Sequence, residues 1–243
     1  MPVTFEKPNE IKSVADLAKR TSKINEARLL FRGQNTDKPL KPKIARQRDF
    51  DAGVERDMLE RFKKESGPFL GGVSPQTDWD WLSVAQHQGM STRLLDWSSN
   101  ALAALWFAVS VDPPQDEDHG VVWMLRVEKD DLKSPDNQEE LWNLRRTYVF
   151  QPFHIDRRIA AQSGWFSVHK YVEERGRFVS LDTNIAFKQK LKKFVVPRDS
   201  FVRIRKELRR MGVTRSSLFP DLGGLCADID EEYLGEKRSP ADI

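Results

Sequence analysis

One cysteine, four histidines and three tyrosines are all that 243 residues supply of those types. Cys226 alone excludes an internal disulfide and any multi-cysteine metal site, and it fits a reducing, cytoplasmic setting. The histidines lie far apart in sequence and give no ligand spacing. No apolar run approaches the roughly 20 residues of a membrane helix. Residues 1–10 carry Pro, Asn and two Glu where a secretory leader needs an apolar stretch. Glycine-rich phosphate loops, a dinucleotide fingerprint, a zinc-protease motif and a hydrolase nucleophile elbow are all missing. No repeat recurs at solenoid or propeller periods.

What is present is a globular composition: 39% apolar and 32% charged residues, with 40 Lys+Arg against 37 Asp+Glu. The net charge of +3 is too small to announce a nucleic-acid binder, but it is unevenly spread. Residues 185–215 hold eleven bases and two acids, and residues 216–243 hold seven acids and two bases. A basic helix can follow a phosphate backbone. With an acidic tail beside it and no nucleic-acid-reading motif, a solvated charged face is the better reading.

Local signals give a mixed α and β order without regular alternation, which predicts an α+β domain with a mixed sheet flanked by helices. Ser13 with Asp16 starts a short helix, and Arg28–Gln34 reads as a strand broken at Gly33. Val54, Met58 and Phe62 make a helical stripe. Leu94–Trp97 is a strand, and Asn100 caps the apolar helix Ala101–Val109. Further strands fall at 120–127, 164–169 and 194–196, the last stopped by Pro197. Asp199 is read as the cap of a helix ending at Gly212. Turn-rich segments occupy 66–75 and 112–119.

Three polar groupings interrupt apolar segments. In Phe31-Arg32-Gly33-Gln34, an Arg on an apolar strand beside Gly can grip a phosphate with two parallel N–H bonds; the bland reading is an edge-strand Arg in solvent. The segment 84–107 gathers His87, Thr92, Arg93, Asp96 and Ser98. Polar groups there must satisfy one another or face a ligand, and an Arg93–Asp96 pair fixing a turn is the structural alternative. Arg158 and Gln162 share a helix face ahead of Gly164 and Phe166, and a surface pair is the plain reading.

Phe31-Arg32-Gly33-Gln34, the run His87-x-Gly89-x-x-Thr92-Arg93-Leu94-Leu95-Asp96-Trp97, Ala104-x-x-Phe107-Ala108, Arg158-x-x-x-Gln162-x-Gly164-x-Phe166 and Leu218-Phe219-Pro220-Asp221-Leu222 follow one another in the order of the FRG domain family. On these five motifs the chain resembles that family, with a core over about residues 29–228, a helical lead-in at 1–28 and an acidic tail at 229–243. The resemblance implies one domain over 1–243 and a place in bacterial, antiviral defence. A more distant resemblance is to arginine-type ADP-ribosyltransferases, in which an Arg-Gly strand binds NAD, a Ser-bearing strand opens an apolar helix, and a catalytic Glu follows. Arg32-Gly33 and Trp97-Ser98 are similar to the first two elements. The third position holds Gln162, which keeps a hydrogen bond but lacks the charge that stabilises an oxocarbenium-like transition state; Glu173 or Glu174 is the alternative acid.

Two readings follow. As an enzyme using NAD as substrate, the chain would bind it through Arg32, Gly33, Gln34, Thr92, Arg93, Ser98 and Arg158, with His87, Asp96 and Gln162 acting in ADP-ribosyl transfer to a macromolecular acceptor or in NAD cleavage. As a binding module, the same residues would recognise a nucleotide, a nucleic acid or a phage component without chemistry. No metal is expected, nor any membrane association.

Overall fold

A computed structural model describes residues 9–22, 24, 28–47, 52–72, 74–135, 141–153, 157–172 and 176–234. In chain order the elements are α1 (Val14–Thr21), β1 (Arg28–Gln34), α2 (Ala52–Glu65), α3 (Asp78–His87), β2 (Leu94–Ser98), α4 (Ala101–Val109) and β3 (His119–Val127). They continue with β4 (Tyr148–Phe150), α5 (Arg157–Ala161), β5 (Gly164–Val168), β6 (Tyr171–Val172), β7 (Arg177–Phe178), β8 (Leu191–Pro197), α6 (Phe201–Arg210), α7 (Arg215–Leu218) and α8 (Leu222–Leu234). The fold is α+β, as the sequence predicts. Among the described residues no helix is long and apolar enough to cross a membrane. Contacts group into two compact units, the first drawn from Met1–Lys38, Ser98–Arg126 and Lys190–Ile243, the second from Pro39–Trp97 and Val127–Gln189.

In the first unit, β1, β3 and β8 lie side by side in that order. β3 and β8 run antiparallel from His119↔Pro197 to Leu125↔Leu191, and Phe31 pairs antiparallel with Ser98. Ser13 caps α1, its hydroxyl accepting the Asp16 N–H at 3.2 Å. Asn100 caps α4 by accepting from Leu102 N–H at 2.9 Å and Ala103 N–H at 3.4 Å. Both caps agree with the sequence. The sheet face is covered by α4 and by α6, whose Phe201, Ile204 and Leu208 recur at helical spacing and join Phe31, Val122, Phe194 and Val196 in one buried cluster. Each such side chain is worth about 1.5–3 kcal/mol when fully buried.

Glycine sets how closely α4 approaches. A Cβ on Gly33 would stand 1.8 Å from the Ala104 carbonyl oxygen, and one on Gly120 would stand 2.4 Å from that of Ala108. Two alanines one helical turn apart thus meet two bare backbone positions of the sheet. Asp199 does not cap α6. A 3-10 turn over Arg198–Ser200 leads into the helix, Ser200 takes the cap position, and the Asp199 carboxylate accepts from the Ser200 hydroxyl at 3.0 Å. Gly212 does end that helical segment, at φ 75°.

In the second unit the strand order is β4-β5-β2, with β4 and β5 antiparallel from Tyr148↔Val168 to Phe150↔Phe166. Thr77 and Asp80 close a reciprocal capping box on α3. Trp79, Leu82, Leu94, Phe150 and Phe166 belong to this unit's buried cluster, to which α2 contributes Leu59. The α2 stripe therefore reads one position off: Glu55 and Leu59 are fully buried, whereas Val54 is exposed.

Candidate functional site

The residues singled out from sequence divide between the units. Arg32, Gly33, Gln34 and Ser98 belong to the first, and His87, Thr92, Arg93, Asp96, Arg158 and Gln162 to the second. β1 is not an edge strand, since β3 flanks it and Phe31 pairs with Ser98, and Arg32 is half-buried. Gly33 is required by α4 packing. The buried Ser98 hydroxyl accepts the Asn100 N–H at 2.9 Å, a local turn that aims Asn100 at the start of α4. Gln34 Oε1 and, two residues on, Thr36 Oγ1 are buried with no hydrogen-bond partner among the described residues.

In the second unit Arg93 is paired, but with Glu55 rather than Asp96. Glu55 accepts from the Arg93 backbone N–H and from its Nε, both at 2.6 Å, and both side chains are almost wholly buried. The guanidinium also donates to the Leu141 carbonyl at 3.2 Å and lies 4.8 Å from the Trp142 ring centre. Asp96 instead accepts from Gln86 Nε2 at 3.0 Å, while Gln86 Oε1 accepts from Thr92 Oγ1 at 2.5 Å. Gln86 thus ties α3 to the run Thr92–Asp96, and Thr92 Oγ1 also accepts the Leu94 N–H. The His87 ring meets Phe166 edge-on at 5.5 Å. Arg158 lies on α5 and Gln162 in the turn just after it, the Gln162 N–H donating to the Arg158 carbonyl at 2.9 Å. Glu173 and Glu174 lie outside the described residues.

A buried relay that the sequence reading does not name crosses the same unit. Trp97 Nε1 donates to Ser167 Oγ at 3.0 Å, Ser167 Oγ is 3.1 Å from His169 Nε2, and His169 Nδ1 is 3.3 Å from the Val179 carbonyl. A carbonyl only accepts, so the proton sits on Nδ1, Nε2 accepts from the Ser167 hydroxyl, and every polar atom is used. Ser167 and His169 are fully buried. This pair is cohesive structure, with no open face for a nucleophile.

An open concavity of the first unit lies elsewhere. A cleft of about 420 Å³ is bounded by Trp106, Phe107, Ser110, Asn35, Arg215 and Phe219. Its three rings form a mutually tilted trio: Trp106–Phe107 at 5.2 Å, Trp106–Phe219 at 5.9 Å and Phe107–Phe219 at 5.9 Å between centres. The Arg215 guanidinium is 5.9 Å from the centre of the Phe219 ring. Thr214 and Ser217 cap α7 reciprocally, and α8 holds that short helix in place. Asp228 accepts from the Ser216 hydroxyl and, at 3.2 Å, its N–H. A Cβ on Gly224 would stand 1.9 Å from the Phe219 carbonyl oxygen. Burial pushes the Asp228 carboxyl up, but the hydroxyls of Ser216 and Thr214, the Ser216 N–H and Arg209 outweigh it and hold it below its ordinary value.

Much of the charge on α6 is met internally. Arg209 pairs with Asp228 at 3.1 Å and with Glu231 at 3.5 Å, Arg203 with Glu207 at 2.9 Å, and Arg205 with Asp112. Signals for the cleft were present in sequence but scattered. Trp106 and Phe107 read as an apolar helix, Arg215 ends the basic segment, and Phe219 falls in the Leu-Phe-Pro-Asp-Leu run. Among the described residues no cluster of three or more His, Cys, Asp or Glu is placed to hold a metal.

No curated protein and no solved structure matches the chain. A family model does match. It spans Phe31-Arg32-Gly33-Gln34, the His87–Trp97 run and the Ala104–Ala108 helix, while the motifs at 158–166 and 218–222 lie beyond it. Over residues 27–117 the chain matches the model of the FRG domain, the family named for its Phe-Arg-Gly triplet.

Proposed function

We propose that the chain is a nucleotide-binding protein whose site is the aromatic cleft of the first unit. The observation that carries this is the trio Trp106, Phe107 and Phe219 with Arg215 beside it. A base stacked on such rings gains about 1–3 kcal/mol, and a guanidinium meets phosphate oxygens in a two-bond fork. Asn35 and Ser110 supply amide and hydroxyl groups able to bond a base edge or a ribose, and the volume suits a small ligand. Asn35 follows Gln34 in the chain, so the Phe-Arg-Gly strand leads into the cleft in sequence.

The binding reading stands ahead of ADP-ribosyl transfer. None of the residues lining the cleft is acidic, whereas transfer of ADP-ribose needs a carboxylate near the reacting ribose. Of the residues named for NAD binding, Thr92, Arg93 and Ser98 have hydrogen-bonding roles inside the fold, as does Asp96, named for the transfer step. NAD enters as a nucleotide to be tested, in a cytoplasmic setting that the lone exposed Cys226 fits. Calorimetry with AMP, ADP and NAD, alongside a nicotinamide-release assay, tests the reading. Saturable binding of at least one nucleotide without nicotinamide release supports a binding module. Release of nicotinamide replaces it with the enzyme reading, and no binding of any of the three discards the site.

A further inference from the structure

The second unit holds a larger and chemically different cavity of about 510 Å³, in a range typical of small-molecule sites. Met58 and Phe62 face it from successive turns of α2, Val84 from α3, Met90 from the segment after α3, and Phe69 from a 3-10 turn over Gly67–Phe69. Arg61, Glu65 and Gln88 line it with exposed side chains, and Ser66, which links α2 to that turn, is its buried polar residue. It is 6% exposed and lines the cavity, and its Oγ has no hydrogen-bond partner among the described residues. It occupies the cap position of the 3-10 turn without making a capping bond. A buried hydroxyl left unsatisfied costs about 1–3 kcal/mol, so such a group in an apolar wall marks where a ligand atom bonds.

Charge at the mouth narrows the class. Arg61 and Glu65 line the cavity and bond each other at 2.9 Å, so neither sign dominates there. Phe69 stands 85% exposed at the rim, an apolar ring able to close over an apolar guest. Met58 and Met90 bring flexible, polarisable walls that adapt to shape. We infer that this cavity binds an uncharged small molecule, apolar over most of its surface, whose single hydrogen-bonding group engages Ser66 Oγ. The inference stands apart from the nucleotide cleft, since no residue is shared between the two sites.

The test uses the full chain and N-phenyl-1-naphthylamine, an uncharged probe of one naphthyl and one phenyl group joined by a single N–H, whose emission rises in apolar surroundings. One saturable site is expected, and Ser66→Ala should weaken it about 5-fold, the loss of one neutral hydrogen bond. Met58→Trp fills the space and should abolish it; Met90→Trp fills it from the other side and serves if the first variant melts early. 1-Decanol should displace the probe more strongly than decanoate, because a buried carboxylate costs more than a hydroxyl. Saturating ADP should leave it bound. Absence of saturable binding, equal affinity in Ser66→Ala, survival of binding in both Trp variants, stronger displacement by decanoate, or displacement by ADP would each overturn the assignment.

Discussion

Removing Glu55 tests whether Arg93, the most buried arginine of the sequence motifs, is a ligand-binding group or part of the core. Glu55 accepts two charge-assisted bonds of 2.6 Å from Arg93, and neither side chain is more than 3% exposed. In Glu55→Ala the guanidinium keeps its bond to the Leu141 carbonyl and its contact with Trp142, but it loses the carboxylate bonded to it. Breaking one side of a buried pair typically costs about 3–5 kcal/mol, because the remaining charge stays buried. The Trp142 contact, worth about 0.5–2 kcal/mol, survives and does not replace the lost charge. The double variant Glu55→Leu, Arg93→Met removes both charges and should lose less stability than Glu55→Ala alone, a positive coupling that two independent surface residues would not show. Urea unfolding read by tryptophan fluorescence and by circular dichroism gives the values. A loss under about 1 kcal/mol for Glu55→Ala, or a double variant no better than the single, would refute a structural role for Arg93.

Three other outcomes follow from packing and charge. Gly33→Ala forces a Cβ to 1.8 Å from the α4 backbone and should destabilise by about 3 kcal/mol, whereas Gly67→Ala meets nothing within 4 Å and should be near neutral; thermal melts of the pair check this. The lowered Asp228 carboxyl contributes stability in full above its ordinary value of 3.8 and loses it as pH falls through the lower folded value. Asp228→Asn should therefore cost stability at neutral pH and flatten the acid limb of a stability–pH curve, and an unchanged acid limb would contradict the assignment. Burial pushes Lys63 down, but its bonds to Asp78 and Glu60 raise it above 10.5, so its contribution is full below that value and fades only at higher, strongly alkaline pH; Lys63→Met should remove this alkaline dependence.

Features set by a few neighbouring residues were legible in the sequence. Ser13 and Asn100 cap because a short polar side chain beside an apolar helix has its N–H partners two or three residues away. β1 keeps the bounds that its apolar run gives it. Asp199 misleads because the chain tightens into a 3-10 turn first, which moves the cap to Ser200. Long-range partners leave no local trace. Glu55 lies 38 residues before Arg93, and nothing around either residue names the other, whereas Asp96 three residues away is the obvious wrong choice. Likewise Gly33 reads as the end of a strand, while its physical reason is a helix that begins at Ala101. The acidic tail hides a helix over Leu222–Leu234, since its charge draws the eye from Leu222, Leu225 and Ile229 at helical spacing. The aromatic cleft was beyond reach for the same reason: Asn35, Trp106 and Phe219 come from three distant segments.

The central claim is that the cleft stacks a base on Phe219 and holds phosphate with Arg215. Its most direct test is calorimetry of AMP against adenosine on wild type, Phe219→Ala and Arg215→Ala. Phe219→Ala should weaken both ligands by the loss of stacking, about 1–3 kcal/mol. Arg215→Ala should weaken AMP by about 1.5–3 kcal/mol, the range for a bond to a charged group, and leave adenosine unchanged. Equal losses for the two ligands in Arg215→Ala, or no loss in either variant, would contradict it.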